Sequence, residues 1–277
     1  MIDEDTPGPL RLSDVQADDF DRQKRIPGWD QETLKNANVL LVGAGALGNE
    51  VCKNLAQCGT GNITVIDPDV IERTNLNRCV YFSREDLNEP KALTLAERVG
   101  IAFPETLVRG LPYRFEDIDE HYRMADADLV VSCVDSIDVR LTINRSCAYY
   151  LKPLVDGGTS GLYGRVQTIV PPDDVCLDCR WRQVAQEERM ERFRCGVELA
   201  WFDRPEPAVS VTTSVVGAVQ SMEAVKVLKM MASRNTAAQD RFETLRNKMW
   251  TIDLATNLSQ VIGISRDVEC PSHDYHR

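Results

Sequence analysis

The sequence lacks any apolar run that approaches the length of a membrane-spanning helix. It also lacks a basic and then apolar leader, because residues 1–5 form an acidic start. These two absences predict a cytoplasmic protein without membrane partners. The 277 residues and the hydrophobic content of 43% are enough for one large core or two modest ones.

The chain also has fewer basic residues than acidic ones. The chain has 32 Lys and Arg residues against 43 Asp and Glu residues, which gives a formal net charge of −11. Nucleic acids require a basic surface, so the sequence argues against nucleic acid as the main ligand. A local basic pocket for a small anion is still compatible with this total.

The chain has an odd number of cysteines. Nine cysteines in a chain without a secretory leader fit reduced thiols and a possible metal site better than a disulfide framework. Four of them lie in apolar or helical surroundings and are interpreted as small core residues. These four are Cys52, Cys58, Cys133 and Cys147.

A nucleotide-binding pattern is present near the start of the chain. The apolar run 39–42 predicts a buried parallel strand, and Gly43-Ala44-Gly45-Ala46-Leu47-Gly48 follows it directly. A glycine turn of this kind lets the backbone approach a phosphate at the positive end of the next helix. The second predicted strand, 63–66, ends at Asp67, whose carboxylate can accept hydrogen bonds from ribose hydroxyls.

The residues after Asp67 bear on which nucleotide binds. A glycine loop with a downstream Asp is also the dinucleotide fingerprint, so an NAD-dependent oxidoreductase is an open alternative. Asn75, Asn77 and Arg78 crowd donors into the following loop. Lys91 adds a second cation where it opposes a helix dipole, which favours an anionic ligand and suits a triphosphate. The sequence has no G-x-x-x-x-G-K-[ST], which excludes a P-loop NTPase.

The apolar pattern predicts an α/β fold with a doubly wound, Rossmann-like and mainly parallel sheet. Residues 1–21 are expected to be a flexible acidic tail and residues 22–277 a single domain. A mobile, irregular insertion is expected over 171–208, and Gly157-Gly158 is expected to break a strand. Strands are predicted at 39–42, 63–66, 108–111, 127–133, 153–156, 164–170, 249–253 and 260–264, and helices at 48–58, 91–101, 139–150 and 212–231.

These motifs together resemble the ThiF/MoeB/HesA adenylating proteins, a superfamily that includes the ubiquitin-activating enzymes. The resemblance runs from about Arg22 to about His273. It implies that ATP is used to adenylate the C-terminal glycine of a small β-grasp protein, either ubiquitin-like or a sulfur carrier. A non-catalytic partner subunit is a second alternative. The matching segments are 43–48, 67–78, Lys91, Ser132-Cys133-Val134-Asp135 with Arg140 and Asn144, and Cys176-Leu-Asp-Cys179.

The resemblance also assigns roles around the nucleotide. Asp67 would bind the ribose, and the loop that contains Asp69, Asn75 and Arg78 would line the ATP site together with Lys91. Asp135 follows a predicted strand, so it is either a Mg²⁺ ligand or the N-cap of the next helix. Retention of these charged residues argues against the non-catalytic alternative.

Two C-x-x-[CH] pairs suggest a metal site. Cys176 and Cys179 form the first pair, and Cys270 and His273 form the second. Four such ligands suit a closed, structural tetrahedral Zn²⁺ site. His276 is a rival for the last position, and a redox pair or plain thiols are the alternatives.

Two further residues are candidates for roles beyond the nucleotide site. Cys195 lies between Arg194 and Gly196, close to Arg192, and nearby cations favour the thiolate nucleophile. Relatives that carry a modifier onward as a thioester use a cysteine in this region, before transfer to a conjugating enzyme or sulfur donor. Family members also place an arginine near Arg22 that reaches the partner subunit's ATP, which predicts a homodimer. The alternatives are an incidental or zinc-adjacent thiol at Cys195 and a basic position in the tail at Arg22.

Overall fold

The computed structural model describes residues 18–117, 124, 126–180, 207–233 and 242–273. Its centre is an eight-stranded sheet in the order β3-β2-β1-β4-β5-β6-β7-β8. Strands β1 to β5 are parallel, and β6, β7 and β8 are antiparallel to their neighbours. The strands are β1 (Asn38–Val42), β2 (Asn62–Ile66), β3 (Leu107–Leu111), β4 (Leu129–Ser132), β5 (Leu154–Ser160), β6 (Tyr163–Ile169), β7 (Lys248–Asp253) and β8 (Leu258–Gly263).

Helices cover both faces of this sheet. The helices are α1 (Asp21–Lys24), α2 (Gln31–Lys35), α3 (Ala46–Gln57), α4 (Lys91–Ala102), α5 (Ile137–Tyr149) and α6 (Ser210–Ala232). None of the helices in the described ranges combines the length and the apolar character that a bilayer crossing requires. The predicted doubly wound sheet and its closing strands are confirmed.

Alternation along β1 separates two hydrophobic cores. Val39 and Leu41 belong to the core that contains residues of α3, α4 and α6. Leu40 and Val42 belong to the core on the opposite face, with Ile143 of α5. β1 and β4 are buried on both faces, which is why they read as nearly continuous apolar runs. Cys52 and Cys147 are fully buried on opposite faces, as the sequence predicts for small core residues.

The expectation that Gly157 and Gly158 break the strand is wrong. Both residues lie inside β5 and pair with Val166 and Arg165 of β6. A Cβ at Gly157 would stand 2.2 Å from the side-chain oxygen of Gln220, and one at Gly158 would stand 3.2 Å from the guanidinium of Arg165. The glycines are therefore needed because neighbouring side chains occupy the space, and the backbone remains extended.

The two segments predicted to be irregular are described only in part. In the N-terminal segment, the ring of Phe20 packs against Gly59 just before α1. In the insertion, residues 171–180 lie against α5, where the Leu177 N–H donates to the Asn144 side chain at 3.0 Å. Residues 1–17 and 181–206 lie outside the described ranges, so the tail and the mobile insertion stay predictions.

Candidate functional site

The glycine turn lies where the chain leaves β1 and enters α3. Gly43 has φ of +100°, and a Cβ there would stand 2.7 Å from the carbonyl oxygen of Cys133 at the end of β4. A Cβ at Gly48 would stand 2.0 Å from the carbonyl oxygen of Gly43. The first and third glycines are therefore required by the packing of the turn itself.

The middle glycine faces open space. Gly45 is the N-cap of α3, no side chain caps this helix end, and a Cβ at Gly45 would meet nothing within 4 Å. Ala46 and Leu47 follow as the first helical residues. Uncapped N–H groups at a helix start attract anions, so this end of α3 can hold a phosphate.

Asp67 follows β2 and connects two loops. One carboxylate oxygen accepts from the Ala44 N–H at 2.6 Å, and the other accepts from the Asp69 N–H at 2.9 Å. Burial raises the pKa of Asp67, and the Ala44 hydrogen bond and the Lys91 charge oppose this effect. Each oxygen keeps a second lone pair, so the carboxylate can still accept a ribose hydroxyl.

The loop after Asp67 is closed by its own polar side chains. Asn75 is buried, and its side-chain oxygen accepts from the Glu72 N–H at 2.9 Å. Arg78 donates to the Thr74 carbonyl and, at 3.0 Å, to the Asn77 side chain. The donors predicted to bind the nucleotide therefore also hold the loop in shape.

Lys91 is the first residue of α4 and is buried. Its ammonium lies 2.8 Å from the carboxylate of Asp69, whose side chain is 64% exposed. Burial lowers the pKa of Lys91, but the Asp69 hydrogen bond and the charges of Asp67 and Asp69 outweigh it and leave the pKa raised. The cation that the sequence predicts for a phosphate is therefore present, charged, and paired with an exposed acid.

Asp135 lies just beyond β4 and is exposed. The N-cap of α5 is Ser136, whose hydroxyl accepts from the Val139 N–H, so the N-cap alternative for Asp135 is wrong. The strand order reverses between β1 and β4, and ligands of such sheets bind at this point of reversal. Asp135 and the glycine turn therefore border the same crevice.

The sequence analysis missed a buried ionic network beside Asp135, formed by Arg140, Asp156 and Arg165. Arg140 donates to one oxygen of Asp156, to the Gly157 carbonyl at 2.7 Å and to the Val134 carbonyl. Arg165 lies 2.7 Å from the other oxygen of Asp156. Burial raises the pKa of Asp156, but the two arginines outweigh it and leave the pKa lowered. The one sequence signal for this network is the position of Asp156 at the end of the predicted strand 153–156.

Arg180 lies next to this network. Its Nη1 atom is buried and has no hydrogen-bond partner within the part of the chain that the structure describes. Burial, together with the positive charge of Arg165, lowers the pKa of Arg180 to about 10. The guanidinium therefore stays charged at neutral pH, next to a carboxylate whose two oxygens are already bound.

Gln220 of α6 is a second residue that the sequence analysis missed. Its side-chain nitrogen donates to the carbonyls of Ser132 at 2.8 Å and Val155 at 3.1 Å. Its oxygen lies 3.5 Å from the Cys133 sulfur. Gln220 thereby ties the end of β4 to the first part of β5, next to the crevice.

The four predicted metal ligands come together. The Sγ atoms of Cys176 and Cys179 are 3.8 Å apart, and those of Cys176 and Cys270 are 3.5 Å apart. Nε2 of His273 lies 3.2 Å from the Cys179 sulfur, and all four ligand atoms lie within 4.8 Å of one another. Tetrahedral zinc with Zn–S bonds of about 2.3 Å separates its sulfurs by about 3.8 Å, so this cysteine–histidine cluster fits that ion.

Hydrogen bonds hold the two halves of the cysteine–histidine cluster together. Asp178 accepts from Asn144 at 3.1 Å, from Arg145 at 2.8 Å and from the hydroxyl of Ser272. The Asp267 N–H donates to the Cys179 sulfur, and the Cys176 thiol, followed by this N–H and His273, lowers the pKa of Cys179 despite its burial. The rival His276 lies outside the described residues.

The remaining candidates are far from the glycine turn or not described. Arg22 is exposed on α1, which is held at the C-terminal end of α3 by hydrogen bonds from Gln23 to Gln31 and to the Cys58 carbonyl. The 12 residues of α3 place this end about 18 Å from the turn. Cys195 lies outside the described residues.

Comparison with known proteins finds relatives over nearly the whole chain. A family model described as the ThiF family matches residues 17–272. The NEDD8-activating enzyme E1 catalytic subunit of Schizosaccharomyces pombe is 37% identical over 182 residues, which are 62% of this chain and 38% of that protein. The sulfur carrier protein ThiS adenylyltransferase of Escherichia coli is 29% identical over 199 residues, which are 72% of this chain and 74% of that protein.

Solved structures support the same architecture. The crystal structure of Escherichia coli MccB with AMPCPP and MccA superposes with a TM-score of 0.71 at 20% identity. The match covers 93% of this chain and 75% of that one. At this identity the likeness shows the fold.

Proposed function

The chain belongs to the ThiF family, and from this premise we propose that it adenylates the C-terminal glycine carboxylate of a ubiquitin-like or sulfur-carrier protein. The observation that carries the proposal is the crevice between β1 and β4. It is bordered by an uncapped helix start at Gly45 and by the exposed Asp135. Both relatives named above are activating enzymes or adenylyltransferases by name, and neither the oxidoreductase nor the non-catalytic alternative gains support.

In the proposed reaction a carboxylate oxygen of the carrier attacks the α-phosphorus of ATP. A bond from this oxygen to phosphorus forms, the bond to the bridging oxygen of the β-phosphate breaks, and pyrophosphate leaves with that electron pair. A terminal carboxyl with a pKa of about 3.5 is ionised at neutral pH, so no general base is needed. Positioning and charge neutralisation supply the catalysis.

The chain's residues divide this work. The start of α3 and the charges of Arg78 and Lys91 would bind the phosphates, and Asp67 would bind the ribose. Lys91 would exchange its pairing with Asp69 for the phosphates, since the exposed Asp69 carboxylate can be solvated when released. Asp135 would hold Mg²⁺, which supplies positive charge for the leaving pyrophosphate.

The cysteine–histidine cluster would hold a structural Zn²⁺. All four positions of a tetrahedral site are filled by Cys176, Cys179, Cys270 and His273, so no open position remains for water. The ion would therefore not take part in adenylation. It would tie the segment after β6 to the end of the described chain.

The acyl-adenylate would next react with a thiol. We assign this role to Cys195, whose thiolate would attack the acyl carbon: a carbon–sulfur bond forms, the carbon–oxygen bond to the phosphate breaks, and AMP leaves with that electron pair. The thioester would then react with a conjugating enzyme or a sulfur donor. Cys195→Ala should form no thioester with the carrier but keep its rate of adenylation, because formation of the acyl-adenylate does not use this thiol. A reducible adduct that persists in Cys195→Ala would assign the acceptor role to another thiol.

The test of the proposed function is ATP–pyrophosphate exchange. The protein is incubated with ATP, Mg²⁺ and labelled pyrophosphate, and with each small β-grasp protein from its own organism that ends in Gly-Gly. One such carrier should stimulate label incorporation into ATP, and the same carrier with a C-terminal amide should not. Nicotinamide-dependent redox activity, or no exchange with any carrier, would contradict the proposal.

A further inference from the structure

Arg180 is the charged group near the crevice that neither the fold nor the nucleotide loops explain. We propose that Arg180 binds the C-terminal carboxylate of the carrier protein, beside the Arg140–Asp156–Arg165 network and the edge of β5 at residues 157–160, which pairs with no other described strand on the β4 side. This inference rests on the proposed function and assigns a residue to the recognition of its protein substrate.

The first argument is the state of the guanidinium. Leaving a buried polar group without a hydrogen bond costs about 1–3 kcal/mol, and more when the group is charged, so such groups are rare without a function. Nη1 of Arg180 is such a group among the described residues. Arg140 and Arg165 each pair with one oxygen of Asp156, and within the described residues Nη1 of Arg180 does not donate to the remaining lone pair of either oxygen.

The second argument is the balance of charge. Arg140, Arg165 and Arg180 lie close enough to Asp156 for their charges to act on one another. Among the described residues, three cations beside one carboxylate leave an excess of positive charge in a largely buried place. An added anion would offset this excess, and an arginine can bind a carboxylate through two parallel hydrogen bonds.

The third argument concerns the neighbouring strand edge. Pairing between β4 and β5 ends at Asp156 of β5. Apart from its pairing with β6, the next backbone bridge of this segment joins Gly161 to Ala208. Between them, residues 157–160 have no strand on the β4 side within the described part of the chain. The carbonyl of Pro153 accepts from the Val130 N–H, and that of Gly157 accepts from Arg140, so both carbonyls point to the β4 side. Because backbone groups alternate in direction along a strand, those of Thr159 point to the same side.

This edge favours an extended peptide tail over a phosphate as the source of the anion. Extended peptides bind exposed strand edges through their backbone, and a Gly-Gly tail has no side chains to obstruct the approach. The proposed phosphate ligands Lys91 and Arg78 follow β2, on the far side of β1 and β4 from β5. A tail along residues 157–160 would pass over the end of β4, where Asp135 lies.

The experiment compares two synthetic octapeptides that end in Gly-Gly, one with a free carboxylate and one with a C-terminal amide. Their binding to the full chain without nucleotide is measured by titration calorimetry at low salt. The wild type should bind the carboxylate form about tenfold to a hundredfold more tightly, as expected for a charged hydrogen-bonded pair. Arg180→Gln should abolish this preference, and Arg180→Lys should keep part of it.

Two controls separate this role from a structural one. Arg109→Gln removes an exposed arginine on the edge strand β3, four strands away from β5, and should keep the full preference. Zinc content and ATP affinity should be unchanged in Arg180→Gln, which shows that the fold next to Cys179 is intact. Equal binding of both peptides by the wild type, including no binding of either, would overturn the inference.

Two further outcomes are also decisive. A preference for the carboxylate that survives in Arg180→Gln would overturn the inference. A loss of affinity for ATP or pyrophosphate, with the peptide preference retained, would show that the residue contacts phosphate instead. Failure of pyrophosphate exchange with every carrier contradicts the proposed function, and it is distinguishable because the peptide titration needs neither ATP nor turnover.

Discussion

Single glycines in the turn after β1 differ in what a methyl group would meet. A Cβ at Gly48 would collide with the Gly43 carbonyl oxygen at 2.0 Å, which is backbone and cannot move aside. Gly48→Ala should therefore lower the free energy of unfolding by about 2 kcal/mol or more, in the range of overpacked sites. Urea denaturation followed by circular dichroism measures this change.

Gly45→Ala is the matched variant, because its Cβ would meet nothing within 4 Å and its φ of −69° suits alanine. Its stability should stay within about 0.5 kcal/mol of the wild type. Its ATP affinity should fall about tenfold or more, because the added methyl lies where a phosphate must approach the helix start. Equal ATP affinity in Gly45→Ala and the wild type would place the phosphates elsewhere.

For Asp135, a role in catalysis can be distinguished from a role in stability in a similar way. Because Asp135 is exposed and does not cap α5, Asp135→Ala should leave the melting temperature unchanged. Pyrophosphate exchange should fall about a hundredfold or more, because a metal ligand is lost. Asp138→Ala, an exposed acid in the first turn of the same helix, is the control and should keep its activity. Near wild-type exchange in Asp135→Ala would remove the metal assignment.

Sequence reasoning reached these residues only where a local pattern marked them. Asp67 and Asp135 each follow a buried strand, so their position at the sheet's edge could be predicted. Asp156 also ends a predicted strand, but Arg140 and Arg165 meet it only through the packing of α5 and the register of β6. No sequence spacing encodes these contacts, so the network and Arg180 beside it could not be predicted.

Whole elements were easier to predict than these contacts. Strands β1 and β2 begin one residue before their predicted starts, because the added residues, Asn38 and Asn62, are polar and join the sheet by backbone pairing with each other. β5 is longer than predicted, since β6 pairs with its glycines through the backbone. The long helix α6 was predicted from one apolar face, and it is buried in several directions, against α3 and the sheet.

The cysteine–histidine cluster joins elements from distant parts of the chain, and zinc should decide whether they stay joined. Cys270→Ser should lose about one zinc per chain in metal analysis, and its C-terminal segment should lose hydrogen-exchange protection before the sheet does. Cys147→Ser, a buried core cysteine outside the cluster, should keep its zinc. Wild-type protein purified without an affinity tag and free of zinc would refute this assignment.

Acid should release the same ion. Zinc binding requires deprotonated sulfurs and a neutral imidazole, so proton uptake by Cys176, Cys179, Cys270 and His273 competes with the metal. Zinc release, followed with a chromogenic chelator, should therefore increase as the pH falls below neutrality. Release that does not depend on pH would indicate ligands of another kind.

In the whole molecule, Arg22 lies too far from the nucleotide site of its own chain to reach it. α1 is held at the end of α3 that lies opposite the glycine turn, about 18 Å away along the helix axis. If Arg22 acts on ATP, it must act on the ATP of a second chain. We therefore expect a homodimer in which each subunit completes the other's site, and sedimentation should show a dimer.

Mixing two inactive variants tests this arrangement directly. Arg22→Ala lacks the arginine that it would lend, and Asp135→Ala lacks its own metal ligand, so each homodimer should be inactive in pyrophosphate exchange. In a mixed dimer, the Arg22→Ala subunit keeps Asp135 and receives Arg22 from its partner, so one of the two sites is complete. Random exchange of equal amounts should restore roughly a quarter of wild-type activity.

Arg25→Ala, three residues away and exposed on the same short segment, should be active without any mixing. A dimer whose mixed variants stay inactive after subunit exchange would rule out the trans role, and an active monomer would rule out both the dimer and that role.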